Sequence, residues 1–274
     1  SGGGPITIKA DNMSFTSSSI NAGSGDVKLT LNNGALAIEL GAGATDAAGT
    51  RLGLTDAELK TITTSGILAV GAPTNSGAMT LAGALDLTSG AGLTGALSLD
   101  GGTSGFTVSY PISVPAGLSI STGGTLTNSA AIAAGGTVSL KANKMALAGG
   151  TINAGAGVVE LKPYSLASAT AINLGTVATD LTASTLELSS AELNTISAGT
   201  LRIGDVNSGA IDIKAALAKT AGGALEHVSN ALNLTSGGAI GQQAGATVDA
   251  LPVGLNMSGV SVLMQEANPI GVIS

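Results

Sequence analysis

Apolar and polar residues alternate in this chain only in short runs, and Gly, Asn or Ser cuts each run off. Ile6-Thr7-Ile8, Val27-Lys28-Leu29-Thr30-Leu31, Leu36-Ala37-Ile38-Glu39-Leu40, Leu97-Ser98-Leu99 and Leu232-Asn233-Leu234 are examples. A period of two puts apolar side chains on one face of an extended segment and Thr, Ser, Lys, Glu or Asn on the other, and the turn residues behind it end the strand. That period leaves almost no room for helices. A β-sandwich would ask for longer strands around an aromatic core, yet only two Phe, two Tyr and no Trp occur in 274 residues. Short strands and small interior residues favour a narrow stack, one coil wide.

The runs recur on a longer scale. Gly4-Pro5-Ile6-Thr7-Ile8-Lys9-Ala10-Asp11-Asn12-Met13 lies over Gly136-Thr137-Val138-Ser139-Leu140-Lys141-Ala142-Asn143-Lys144-Met145, an offset of 136 − 4 = 132. Ile20-Asn21-Ala22-Gly23 matches Ile152-Asn153-Ala154-Gly155, and Asn75-Ser76-Gly77-Ala78 matches Asn207-Ser208-Gly209-Ala210. Pro115-Ala116-Gly117-Leu118 answers Pro252-Val253-Gly254-Leu255, where the offset has grown to 252 − 115 = 137. The expected fold is all-β: a right-handed parallel β-helix, or β-solenoid, forming a single segment over 1–274. It would hold two superrepeats of about 132–137 residues, one at about 4–135 and the other at about 136–270. With coils of about 20 residues stacked at about 4.8 Å, each superrepeat would make some six coils.

Two further stretches carry expectations. Gly271-Val272-Ile273-Ser274 resembles Gly4-Pro5-Ile6-Thr7, as if a third copy began there, and the start at Ser1-Gly2-Gly3-Gly4 without an initiator Met reads as a segment of something longer. Residues 246–274, with Pro252, Pro269 and Met257 to Met264, fit the rhythm least well and are expected to be a cap, a boundary or irregular coils.

One helical signal interrupts the strands. In Leu54-Thr55-Asp56-Ala57-Glu58-Leu59, Thr55 can cap a helix and Glu58 can reach back to it, while Leu54 and Leu59 have the spacing of a hydrophobic staple. Leu188, Ser189, Glu192 and Leu193 repeat the device in the second copy. The expectation is one structural helical turn at a coil corner.

Several phrases are similar to the repeat regions of filamentous-haemagglutinin-like exoproteins, the large bacterial surface proteins of two-partner secretion. They are Leu52-Gly53-Leu54-Thr55-Asp56-Ala57-Glu58-Leu59, Ile196-Ser197-Ala198-Gly199-Thr200-Leu201-Arg202-Ile203-Gly204, Ser208-Gly209-Ala210-Ile211 and Leu234-Thr235-Ser236-Gly237-Gly238-Ala239-Ile240-Gly241-Gln242. The resemblance runs from about residue 4 to about residue 245. It implies a right-handed β-helical shaft, export from a Gram-negative cell through an outer-membrane secretion partner, and an extracellular or cell-surface role in adhesion, biofilm or cell contact. A receptor on a host cell, the matrix or a neighbouring cell would then be the partner. The family's amino-terminal secretion signature is absent, since Asn268-Pro269-Ile270-Gly271 is a partial echo at the opposite end. End-to-end self-association into a filament or sheath is the alternative function, and a β-helical carbohydrate-active enzyme the second alternative.

Composition narrows the chemistry. Seventeen acids against ten bases give a net charge of −7 with no run of either sign, so nucleic acid is not an expected partner. The absence of Cys removes disulfides and thiolate chemistry. A mean hydropathy of +0.46 and the uncharged stretch from Gly101 to Leu140 suggest a membrane, but Pro111, Pro115 and the many Gly, Ser and Thr do not suit a spanning helix. The apolar runs are also shorter than membrane-barrel strands require.

A sugar-cleaving site needs acids and bases clustered from neighbouring coils. The candidates are Arg51, Arg202, the single His227 beside Glu226, and Asp11, Asp26, Asp86, Asp100 and Asp212; all are also explained as solvated groups. Gly23-Ser24-Gly25-Asp26 faintly resembles a calcium-roll turn, yet Val158 stands in the second copy where Asp26 does in the first. Phosphate-loop and integrin-type signatures are absent, and Thr61-Ile62-Thr63 is too isolated to make an ice-binding rank. Asn12, Asn233 and Asn256 head Asn-x-Ser/Thr sequons open to glycosylation. No catalytic, cofactor or metal residue is expected, and the chain is expected not to be an enzyme.

Overall fold

The computed structural model describes residues 3–15, 18–90, 92–164, 170–176, 184–249, 254–266 and 268. The chain is an all-β parallel β-solenoid, and it divides into two compact units, Ser1–Thr137 and Val138–Ser274.

In the first unit, one ladder holds Ile6–Lys9, Val27–Thr30, Leu68–Gly71, Leu97–Asp100 and the start of Leu118–Asn128, all parallel. The register is unbroken, so alternation in sequence becomes files in space. Ile6, Val27, Leu68, Leu97 and Leu118 make one inward file, and Ile8, Leu29, Val70, Leu99 and Ile120 the next. From Val27 onward every member is buried. Each aliphatic side chain is covered by those one rung above and below, which removes the need for large aromatics.

A second ladder runs through Arg51–Leu54, Ala37–Leu40, Met79–Leu81, Phe106–Val108 and the end of Leu118–Asn128. Its order departs from the order of the chain. Ile38 pairs with Met79 on one edge and with Leu52 on the other, so Arg51–Leu54 lies one rung behind the strand that precedes it. In this unit the step fills an open place. Between Lys9 and Ile20 the described residues contain no strand to pair with Ala37–Leu40. An unpaired row of N–H and C=O groups there would be costly, and the chain steps back to supply it. The helix Asp56–Leu59 then carries it to Ile62–Thr64, which pairs with Ile20–Gly23 of that same first coil.

The second unit repeats the step, although its first coil carries strand through Ala146. Its first ladder takes Val138–Ala146, Val158–Lys162, Ile196–Ile203, Val228–Thr235 and Gly254–Ser258. Its second ladder runs Thr185–Ser189, Ala171–Thr176, Ile211–Ile213, Ala239–Gln242 and Ser261–Leu263, with Thr185–Ser189 again behind the strand it follows. The helix Ser190–Asn194 leads on to Ile196, which pairs with Ile152.

This excursion corrects the coil arithmetic. Rungs of the first ladder begin at 6, 27, 68, 97 and 118, steps of 21, 41, 29 and 21. In the second unit they begin at 138, 159, 201, 232 and 255, steps of 21, 42, 31 and 23. Among the described residues each unit therefore has five rungs of this ladder and not six, because one double-length step goes back before it goes forward. Residues 246–249 and 254–263 also prove more regular than their composition suggested. Val248–Asp249 pairs with Leu217–Ala218, Gly254–Ser258 with Ala231 to Thr235, and Ser261–Leu263 with Ala239 to Gly241. Pro252, Pro269 and the third-copy echo at 271–274 lie outside the described residues.

At the end of an inward run the chain must turn under the next coil. Gly71 does so at φ +90°, where a Cβ would come within 2.1 Å of the Asp100 carbonyl oxygen. Gly204 does the same in the second unit at φ +76°, 2.3 Å from that of Thr235. Among the described residues, no helix is long and apolar enough to cross a membrane.

Candidate functional site

Both capping boxes form. Thr55 Oγ1 accepts from the Glu58 backbone N–H at 3.1 Å, and Glu58 Oε2 accepts from the Thr55 N–H at 3.0 Å. Ser189 and Glu192 do the same at 3.2 and 2.9 Å. The staple residues Leu54, Leu59, Leu188 and Leu193 are all fully buried. Each glutamate also has a task that local spacing does not announce. Its other oxygen, Oε1, accepts a backbone N–H from the loop of the first coil, Phe15 at 3.3 Å for Glu58 and Leu147 at 3.0 Å for Glu192. The box therefore stitches the excursion to the coil it completes.

The outward side of the first ladder carries the most polar chemistry. In the second unit its middle file is Ser139, Glu160, Arg202, Asn233 and Asn256 on successive rungs. Glu160 is the hub: it accepts from Lys162 Nζ at 2.7 Å, Ser139 Oγ at 3.0 Å and Arg202 Nη1 at 3.3 Å. Burial by itself would raise the Glu160 carboxyl, but the hydrogen bonds and charges of Lys162, Ser139 and Arg202 outweigh it and hold the group below the usual carboxylate range. Further along, Asn256 Nδ2 donates to Asn233 Oδ1 at 2.7 Å, so these two sequon asparagines form an amide ladder. Asn12, by contrast, is exposed in a bend.

Arg51 serves its own turn, donating to the Thr45 carbonyl at 2.9 Å and lying 3.5 Å from Glu39. His227 stands 3.9 Å from Glu226 at a groove of about 610 Å³ that Asn153, Asn194 and Ser197 also line. Glu226 is already engaged there, accepting from the Gly222 N–H at 2.6 Å and Asn194 Nδ2 at 3.2 Å. Those bonds, with Gly222 foremost, lower its carboxyl below the ordinary value.

The aspartates are engaged separately, four of them by backbone N–H groups of their own turn or of a neighbouring coil. Asp11 accepts from the Asn33 N–H at 2.7 Å, Asp26 from Ile67 at 2.8 Å and Asp100 from Gly102 at 3.0 Å. Asp86 takes both the N–H and the hydroxyl of Thr88, at 2.9 and 2.6 Å, and the hydroxyl bond is the first cause of its lowered carboxyl. Asp212 pairs with Lys214 at 2.9 Å and accepts from Gln243 at 3.2 Å. Among the described residues, no three His, Asp or Glu converge as a metal site.

The structure thus defines a duplicated parallel β-solenoid with an aliphatic interior and outward files of hydroxyl, amide and ionic groups. No family model matches the chain, nor does any curated protein or solved structure.

Proposed function

We propose that the chain is a structural and adhesive shaft segment of a secreted bacterial surface protein, exported through an outer-membrane partner and working in adhesion, biofilm or contact between cells. The observation that carries this reading is the use of the side chains. In both units most of the large aliphatic residues are spent on inward files, and Glu160, Glu226, Asp11, Asp26, Asp86, Asp100 and Asp212 are each occupied by ladder or turn hydrogen bonds. Such a chain extends and presents a surface, and its repeating backbone ladder resists being pulled apart because each rung is held by two neighbours.

Antibodies raised against the purified chain should label intact cells of the producing bacterium. External protease, or loss of the gene for the secretion partner, should abolish that labelling. Signal that appears only after the cells are permeabilised would overturn the reading.

A second reading, end-to-end assembly, has one observation in its favour. Val262 stands at an inward position, in register with the fully buried Ile240, yet it is 44% exposed, and Val260 and Leu263 beside it are exposed too. Sedimentation velocity across a hundredfold concentration range should then reveal species growing by whole-chain increments, which Val262→Asp should suppress. A single concentration-independent species would remove this alternative.

A further inference from the structure

Of the ten cationic side chains, eight have partners within the chain. Arg51, Lys60, Lys162, Arg202 and Lys214 are ion-paired with carboxylates. Lys219 donates to the Glu226 carbonyl, Lys141 lies 5.5 Å from the centre of the Tyr164 ring, and Lys144 is also engaged. Lys9 and Lys28 are the exceptions: among the described residues neither makes a hydrogen bond, ion pair or ring contact. Both line one groove of about 520 Å³ in the first unit. They sit on adjacent rungs, since Thr7 pairs with Lys28 and Lys9 with Thr30.

A second observation points the same way. Asn75 is 3% exposed and Thr30 8% exposed, both line this groove, and among the described residues neither side chain makes a hydrogen bond, so their polar atoms open to the groove instead of being enclosed. Held nearly immobile by burial and unused by the fold, these two groups are hydrated in the groove, and a polar ligand can take the place of that water.

The second unit supplies an internal comparison. The same ladder sets Ser139, Glu160 and Arg202 where the first unit has Thr7, Lys28 and Ala69. There, Glu160 neutralises Lys162 and Arg202 within the fold. In the first unit the acid is replaced by a lysine, and the positive charge is left facing outward on a chain whose net charge is −7.

We propose that this groove binds an oxyanion ester, a phosphate or sulfate group carried on a sugar. Two ammonium groups supply charge-assisted hydrogen bonds to the oxyanion. The Thr7, Thr30, Thr74 and Asn75 side chains supply hydroxyls and an amide for the sugar, and the lining has no aromatic wall on which a base would stack. The groove is far larger than one tetrahedral anion needs. The site goes beyond the shaft reading and stands independently of it.

The test is calorimetric titration of the whole chain at low ionic strength with inorganic phosphate, inorganic sulfate, glucose 6-phosphate, glucose 6-sulfate and glucose. One saturable site is expected for the charged ligands, with the sugar esters tighter than the bare anions and glucose silent. The preferred ester identifies the source. Lys9→Ala and Lys28→Ala should each weaken binding about tenfold, the size expected when one charge-assisted contact is lost. Lys28→Glu, which copies the second unit, should abolish it, while Glu160→Gln should leave it unchanged. Bare anions binding as tightly as the esters would overturn the sugar assignment. No saturable binding, or equal affinity in the Lys9→Ala/Lys28→Ala double variant, would overturn the site and leave the surface-labelling result untouched.

Discussion

Replacing Glu192 by alanine is expected to destabilise the second unit by about 3 kcal/mol. Glu192 is 2% exposed, and its two oxygens accept from the Ser189 N–H, the Ser189 hydroxyl and the Leu147 N–H. Truncation strands two buried backbone donors, each costing about 1–3 kcal/mol, and removes half of a capping box worth about 1 kcal/mol. Denaturant unfolding measures the total, and hydrogen exchange at Leu147 locates it, because that amide donates to the carboxylate of the excursion. Glu192→Gln keeps an acceptor for one donor and should lose less. The matching Glu58→Ala should also lose less, since Glu58 is more exposed and its bond to Phe15 is longer, 3.3 Å against 3.0 Å. A Glu192→Ala variant within about 0.5 kcal/mol of the parent would show that the stitch carries no weight.

Phe106→Ala should cost about 4 kcal/mol. Phe106 is 1% exposed and stands in register between Met79 and Leu126 on the second ladder of the first unit. Hydrogen-bonded ladders fix the spacing of these rungs, so the neighbours cannot move together to fill the space of the lost ring. The cavity term is therefore retained nearly in full. Phe106→Leu should recover more than half of the loss. Equal denaturant midpoints for the alanine variant and the parent would mean that the interior is looser than its burial indicates.

The strands were legible because alternation fixes which face a residue takes. Val27–Thr30, Ala37–Leu40 and Leu97–Asp100 fall within one residue of their sequence boundaries, and both capping boxes occur where spacing placed them. Partner choice was not legible. A period of two is the same whether a strand stacks ahead of its predecessor or behind it, so nothing local to Arg51–Leu54 announces that it steps back. The contacts of Glu58 Oε1 and Glu192 Oε1 are hidden for the same reason, spanning 43 and 45 residues. At the candidate site, single-residue chemistry identified Arg202 and the aspartates as polar but could not say which were already satisfied. Lys9 and Lys28 were missed because an isolated lysine in a strand looks like any solvated position. The signal that could have found them was the disagreement between the two copies, Lys28 against Glu160.

The backward step also sets an order of events. In a plain solenoid each coil can close on its predecessor as soon as it is made, and the structure can zip from one end. Here the first coil of each unit is incomplete until the chain some forty residues further on returns to it, as the Ile20–Ile62 and Ile152–Ile196 pairings require. A chain emerging from its amino terminus must hold that coil open until the strand, the helical turn and the glutamate arrive together. The slow, non-local closure falls once in each unit, and from there every later coil meets a finished template.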